Sequence, residues 1–134
     1  MGFIFEAMVE EAYYRLQESL ELPLVQEWGR WEGTDSQRQP LEVDVASLLV
    51  DGRVLTGSIK WNRRPLDVDV HQHHLSMLDR LVGSGVAWAD EARKLTSPLL
   101  YVAVGGFTPR FRQAASASRD EVRLWDLDDL YRSA

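Results

Sequence analysis

Leu99-Leu100-Tyr101-Val102-Ala103-Val104 is the stretch that most limits what this chain can fold into. An unbroken apolar run of strand-forming residues, entered through Ser97-Pro98 and left through Gly105-Gly106, fits a strand buried on both faces. A strand of that kind needs helices above and below its sheet, and the flanking sequence supplies them. Residues 2 to about 21 repeat Ile4, Met8, Ala12, Leu16 and Leu20 at intervals of four, with Phe5 and Val9 widening the stripe, which predicts a helix stopped by Pro23. Asp67 or Asp69 caps a second helix running to about Val82, with Val70, Leu75, Leu78 and Leu81 inward and Gly83-Ser84-Gly85 ending it. Ala87 to Leu95 reads as a further short helix or as the tail of that one. Thr108-Pro109 opens a helix to about Ser116, because Pro suits the first helical position and Thr caps it.

Between the first two helices lie the other strands. Val25 to Trp31 is β-branched and aromatic, and Glu32 to Pro40 is polar and rich in turn formers, hence a loop. Leu41-Glu42-Val43-Asp44-Val45-Ala46 alternates apolar and acidic residues as a half-exposed strand does. Asp51-Gly52 is a strong hairpin signal leading into Val54-Leu55-Thr56-Gly57-Ser58-Ile59-Lys60-Trp61. In that second strand Leu55, Gly57, Ile59 and Trp61 share one face, and Thr56, Ser58 and Lys60 the other. Glu121 to Trp125 is a last strand and Asp126 to Tyr131 a closing helical turn. The sum is one α/β domain over residues 1–134, a central mixed sheet flanked by helices, with no internal repeat.

Composition narrows the chemistry. With no Cys, disulfides, thiolate metal sites and a cysteine nucleophile are excluded. No apolar run approaches the roughly 20 residues that span a bilayer, and Met1 to Glu6 lacks the features of a signal peptide, so the expectation is a cytoplasmic protein without membrane contact. The abrupt start in a helix fits a piece of a larger protein. A net charge of −6, from 21 acidic and 15 basic residues, argues against tight autonomous DNA binding by the domain as a whole. Local basic patches remain: Arg63 and Arg64 directly after Lys60, joined by Arg110 and Arg112 if the helix start approaches the sheet edge.

The ordered set Gly2-Phe3-Ile4-Phe5-Glu6 opening a helix, Glu42-Val43-Asp44-Val45-Ala46, then Gly57-Ser58-Ile59-Lys60-Trp61 resembles the PD-(D/E)xK restriction-endonuclease-like superfamily. More narrowly it resembles the nuclease-like C-terminal domain of archaeal-type AAA ATPases. Val104-Gly105-Gly106-Phe107-Thr108 and Val122-Arg123-Leu124-Trp125-Asp126-Leu127 resemble the ending of Mrr-type restriction domains. The resemblance implies a restriction-endonuclease-like sandwich, phosphodiester hydrolysis with Mg2+ held by carboxylates, DNA as partner, and an ATPase portion of the parent chain. Carried onto this sequence, Glu6 matches the helical acid, Asp44 the first strand acid and Lys60 the lysine that orients or deprotonates the attacking water.

Ser58 stands where the second strand acid belongs. A neutral hydroxyl is a poor ligand for a hard cation, so the sequence predicts a weakened Mg2+ site unless another carboxylate, Glu42 being the nearest, projects into it. The catalytic candidates are Asp44, Lys60 and Ser58; the metal candidates Glu6, Asp44 and Glu42; the nucleic-acid candidates Arg63, Arg64, Arg110 and Arg112. Outside that resemblance, Asp and Lys on adjacent strands more often form a plain cross-strand ion pair. His71, His73 and His74 lack a further ligand, and read as a solvated helix end rather than a metal cluster.

Three functions follow as expectations. The leading one is an impaired nuclease-like module serving in nucleic-acid binding or assembly beside an ATPase. The others are an active Mg2+-dependent DNase with a relocated carboxylate, and a protein-interaction domain without nucleic-acid contact.

Overall fold

The structure, a computed structural model, describes residues 2–133, with side chains described from Phe5 onward. The expectations for Phe3 and Ile4 as side chains lie outside that range. The elements are α1 (Gly2–Leu16), β1 (Val25–Glu27), β2 (Trp31–Thr34), β3 (Pro40–Val43), β4 (Val45–Leu49), β5 (Val54–Lys60), α2 (Val68–Gly83), α3 (Ala87–Ala92), β6 (Leu99–Ala103), α4 (Pro109–Ala117), β7 (Val122–Trp125) and α5 (Leu127–Leu130).

β6 is buried along its whole length, and it organises the sheet as its sequence requires. The strand order is β1-β4-β5-β6-β7. β1, β4 and β5 are joined antiparallel, whereas β5, β6 and β7 run parallel, so the sheet is mixed. The parallel joins are made by helical crossovers: α2 and α3 lie between β5 and β6, and α4 between β6 and β7.

Alternate residues of the central strands serve two cores. Leu55 and Ile59 of β5, with Leu100 and Val102 of β6, pack under Phe5, Val9, Ala12, Tyr13 and Leu16 of α1 and Leu130 of α5. On the opposite face, Leu99, Tyr101 and Ala103 meet Leu66, Phe107 and Phe111. Further along that face, Val54 meets Leu78 of α2 and Ala92 of α3. The result is a three-layer α/β sandwich with a mixed central sheet, as the sequence leads one to expect. Gly57 allows β5 and β6 to approach: a Cβ there would fall 1.6 Å from the Leu100 carbonyl oxygen.

The local signals explain several boundaries. The Asp51 carboxylate accepts the Arg53 backbone N–H at 3.0 Å, and Gly52 takes a φ of 90°, closing the β4–β5 turn. Asp67 caps α2 and accepts the Val68 backbone N–H at 2.8 Å. The Thr108 hydroxyl accepts the Phe111 N–H at 3.1 Å, capping α4 with Pro109 in its first turn. Asp126 and Asp129 form a reciprocal capping box on α5.

Three boundaries depart from the expectation. α1 ends at Leu16, not near residue 21; a tight turn follows, in which the Leu22 N–H reaches the Gln17 carbonyl at 2.8 Å and Glu21 adopts a φ of 52°. The loop expected over Glu32 to Pro40 shrinks to a turn at residues 35–39: β2 and β3 form a separate two-stranded hairpin around it, with Trp31 opposite Val43 and Gly33 opposite Leu41. Its turn is tied by Asp35, which accepts the N–H groups of Gln37 and Gln39 at 2.8 and 2.9 Å and an Arg80 guanidinium N–H at 2.5 Å. Finally, Leu41 to Ala46 is not one strand. The chain bends at Asp44, leaving the hairpin as β3 and entering the main sheet as β4.

Candidate metal centre

The bend at Asp44 is what builds the site. Val43 packs among Met77 and Leu81, while Val45 packs under α1. The intervening residue lies at the seam between hairpin and sheet, beside the C-terminal end of β5. There one carboxylate oxygen of Asp44 accepts the Ile59 backbone N–H at 2.8 Å. α1 brings Glu6 to the same corner and β3 brings Glu42. The three carboxylates each offer an oxygen within 4.8 Å of the others, the only such group among the described residues. All three metal candidates from the sequence are therefore brought together.

Beside the corner lies a cleft of about 280 Å³ lined by Glu6, Ala7, Glu10, Trp28, Gly29, Arg30 and Asp44, whereas Glu42 lines a separate pocket on the hairpin with Glu32 and Leu41. Burial raises the Asp44 carboxyl above its ordinary range; the Ile59 N–H and the Lys60 charge pull it back, and the Glu42 charge pushes it up again. Glu6 is raised chiefly by burial, opposed by the Arg30 charge and reinforced by Asp44 and Glu42. Carboxylates that repel one another, Glu6 and Asp44 part-buried and Glu42 exposed, form a donor set that a divalent cation would neutralise. Hard, anionic oxygens are the chemistry Mg2+ prefers, so the residues present fit it.

Lys60 and Ser58 occupy the β5 face that carries Thr56, under α2. Asp44 and Lys60 form no ion pair among the described residues: Asp44 takes the Ile59 N–H instead, and feels Lys60 only as a nearby charge. Ser58 is half-buried, opposite Tyr101 in the parallel β5–β6 register, and adds no carboxylate to the cluster.

The four arginine candidates divide. Arg63 and Arg64 are exposed in the segment after β5, whose backbone passes so near Gly105 that a Cβ there would fall 2.5 Å from the Arg63 carbonyl oxygen. They take part in no ion pair among the described residues. Arg110 instead grips Asp67 with two hydrogen bonds, at 2.7 and 3.1 Å. Arg112 lies 3.3 Å from Asp126 and over the Phe107 ring.

The reading of the histidines as a solvated helix end is overturned for two of them. His74 is buried and its Nε2 lies 2.9 Å from the Thr56 hydroxyl; His71 Nδ1 lies 2.7 Å from the Tyr101 hydroxyl. Only His73 is exposed. The signal was present, since His74 shares a helical face with Met77, Leu78 and Leu81.

Arg30 is the residue that sequence reasoning missed. It makes an ion pair with Glu42 and approaches Glu32 at 3.8 Å. Nothing in Gly29-Arg30-Trp31 distinguishes it from a solubilising arginine, because its partners are set by the hairpin's return.

The class these features define is a three-layer mixed α/β sandwich with an acidic corner where α1, the β3–β4 bend and the end of β5 meet. No family model and no curated protein matches the chain. Among solved structures it is similar to a repair endonuclease from Pyrococcus abyssi, at 18% identity and a TM-score of 0.45 over 91% of this chain and 46% of that one. It is also similar to EndoMS in its apo form, at 14% identity and a TM-score of 0.46, covering 87% of this chain and 45% of the other. The EndoMS–dsDNA2 complex gives 14% identity, a TM-score of 0.45, and coverage of 87% and 44%. The chain thus spans under half the length of each. No described helix is long and apolar enough to cross a membrane.

Proposed function

We propose that this chain is a nuclease-like domain that meets the phosphodiester backbone of DNA through a divalent cation, Mg2+ by preference, held by Glu6, Glu42 and Asp44. The observation that carries this reading is the convergence of three carboxylates from three separate elements within 4.8 Å. In this arrangement Glu42 takes over the task for which Ser58 is unsuited. Bound there, the cation would polarise a phosphate oxygen and lower the pKa of a bound water.

The remaining work falls to the protein's own groups. Asp44 is fixed by the Ile59 N–H, so one of its oxygens is oriented and the other is left for the cleft. Lys60, with no ion-pair partner among the described residues, supplies the free ammonium that a water or a phosphate oxygen would meet. Arg63 and Arg64 extend the positive charge beyond the end of β5 and would contact phosphates to either side. The placement of such a domain beside an ATPase, and its Mrr-like ending, rest on the sequence phrases alone.

A second reading, an impaired module that binds nucleic acid or assembles with a partner without cutting, is favoured by one observation. Glu42 is already engaged by Arg30, which leaves Glu6 and Asp44 as the ligands with no ion pair among the described residues.

Calorimetric titration with Mg2+ and Mn2+, run beside cleavage of supercoiled DNA, separates the two. Cation binding lost in both Glu42→Gln and Asp44→Asn, with nicking by the unaltered protein, supports the first reading. Binding without nicking, strengthened in Ser58→Glu, supports the second. Absence of cation binding in every variant, Ser58→Glu included, overturns both as metal-site readings.

A further inference from the structure

The β2–β3 hairpin contains an arrangement that ought to be unfavourable. Glu32 and Glu42 are direct cross-strand partners, and like charges in that position repel. Arg30 resolves the conflict. Its guanidinium pairs with Glu42 and lies 3.8 Å from Glu32.

The backbone that carries Arg30 is anchored. The Gly29 carbonyl accepts the Ala46 N–H at 2.8 Å, and the Gly29 N–H reaches the Ser47 hydroxyl at 3.1 Å. A fixed base with a long flexible side chain is a lever. The lever ends between two carboxylates, one belonging to the acidic corner and one outside it, since Glu32 is absent from the group formed by Glu6, Glu42 and Asp44. Arg30 also lines the cleft beside that corner, and its positive charge acts on both Glu6 and Asp44.

A cation entering the corner and the Arg30 guanidinium compete for the same carboxylate. From this geometry we infer that Arg30 is an exchangeable counter-ion of the acidic corner, holding Glu42 while no divalent cation is bound and passing to Glu32 when one arrives. The inference rests on the cation-binding reading above and adds its regulation. Because the two partners exclude each other on Glu42, loss of one strengthens the other by the same factor. Glu32, 3.8 Å from the guanidinium, is a second carboxylate to which the released Arg30 can turn.

Two substitutions move cation affinity in opposite directions if this is so. Arg30→Met removes the competitor, so Mg2+ and Mn2+ should bind about fivefold or more tightly than to the unaltered protein, at the low end of measured couplings. The same variant leaves Glu32 and Glu42 opposed. Its thermal midpoint should therefore be lowered without cation and rise further than that of the unaltered protein when Mg2+ is added. Glu32→Gln removes this second carboxylate and should weaken binding several-fold while leaving Glu6, Glu42 and Asp44 intact. Arg30→Lys keeps a charge on the lever and should lie between.

Equal or weaker binding in Arg30→Met overturns the exchange while leaving the metal reading standing, provided the unaltered protein binds cation and Asp44→Asn does not. No binding in any variant overturns both. A direct readout needs no substitution: the Arg30 Nε–H resonance should shift on titration with Mg2+, and its failure to move while cation binds also overturns the exchange.

Discussion

The Asp44 carboxylate is held by the backbone N–H of Ile59, at 2.8 Å, on the strand that ends in Lys60. One hydrogen bond thus ties the bend between β3 and β4 to the strand where a second acid is missing. It also means that Asp44 has two duties, one structural and one electrostatic, which substitution can separate. Asp44→Asn keeps an acceptor for Ile59 and removes the charge. Because burial raises the Asp44 carboxyl, the charged form costs stability at neutral pH, and that cost is relieved as pH falls through the raised folded value. The amide variant should be as stable as the unaltered protein without cation, or more so by up to about 1 kcal/mol. It should show no thermal shift with Mg2+. Asp44→Ala leaves the Ile59 N–H unsatisfied and should cost about 1–2 kcal/mol. Urea unfolding of both variants, with and without Mg2+, measures the separation.

Arg63 and Arg64 differ from Arg110 and Arg112 in what already holds them. The first pair has no ion-pair partner among the described residues, whereas Arg110 is bound to Asp67 and Arg112 faces Asp126. Reversing the charge of the first pair, Arg63→Glu with Arg64→Glu, should weaken DNA binding at low salt. It should also reduce the slope of log K against log salt by about 1.8, at roughly 0.9 for each phosphate that the two arginines neutralise. Arg110→Ala and Arg112→Ala should change that slope far less. Fluorescence anisotropy over a salt series distinguishes the pairs.

Asp67 joins three parts of the fold. It caps α2 through the Val68 N–H, accepts the Thr108 hydroxyl at 2.9 Å and binds Arg110 of α4. The Val68 N–H first, then Arg110 and Thr108, hold its carboxyl below the ordinary value. The sign is that of a depressed acid: its contribution is complete above the unfolded value near 3.8 and is lost as pH falls through the folded one. Asp67→Ala should lower the unfolding midpoint in urea at pH 7, because α2 loses its cap and α4 its tie to that cap. The difference from the unaltered protein should shrink below pH 4. Chemical unfolding at pH 7 and pH 3.5 reads both effects.

What the sequence revealed and what it hid follow from the range of the forces involved. The β6 run, the Asp51-Gly52 turn, the Asp67 cap and the Thr108-Pro109 helix start are each decided within a few residues, and each is legible. The hairpin of β2 and β3 is not, because its strands alternate weakly and lie outside the main sheet. Trp31 and Gly33 against Leu41 and Val43 are the only trace of it. Of the acidic corner, Glu6 and Asp44 were legible as candidates through their resemblance to a family pattern, and Glu42 as the nearest carboxylate that could stand in for the acid missing at Ser58. Their meeting depends on the bend at Asp44, which period-two alternation read as continuous strand. Arg30 was invisible for the same reason: its partner Glu42 is twelve residues away and reaches it only after the hairpin closes.

His74 provides the remaining prediction: its contribution, like that of Asp67, is lost as the pH falls, but it comes from a buried base kept neutral rather than from a paired acid. The ring is 1% exposed on the inner face of α2, with Nε2 on the Thr56 hydroxyl and no hydrogen-bond partner for Nδ1 among the described residues. His71 and His73 on α2 and Lys60 on β5 present further positive charge to it. Burial first, and those charges second, pull its pKa down from 6.5 to about 3. The unfolded chain therefore takes up a proton near pH 6.5 that the native protein refuses. Stability is retained above that value and falls as pH drops from 6.5 towards 3, at no more than about 1.4 kcal/mol per pH unit. Glu6 and Asp44, whose carboxyls are raised, act in the other direction, but only as the pH nears the carboxylate range. In the interval from pH 6.5 to about 5, His74 therefore acts together with His71, whose pKa burial also lowers. His74→Leu should cost stability at pH 7, by leaving the Thr56 hydroxyl without its partner, and should flatten the loss across that interval. Equilibrium urea unfolding at half-unit steps from pH 7 to pH 5 measures it, and parallel curves for the two proteins would assign the acid sensitivity to other groups.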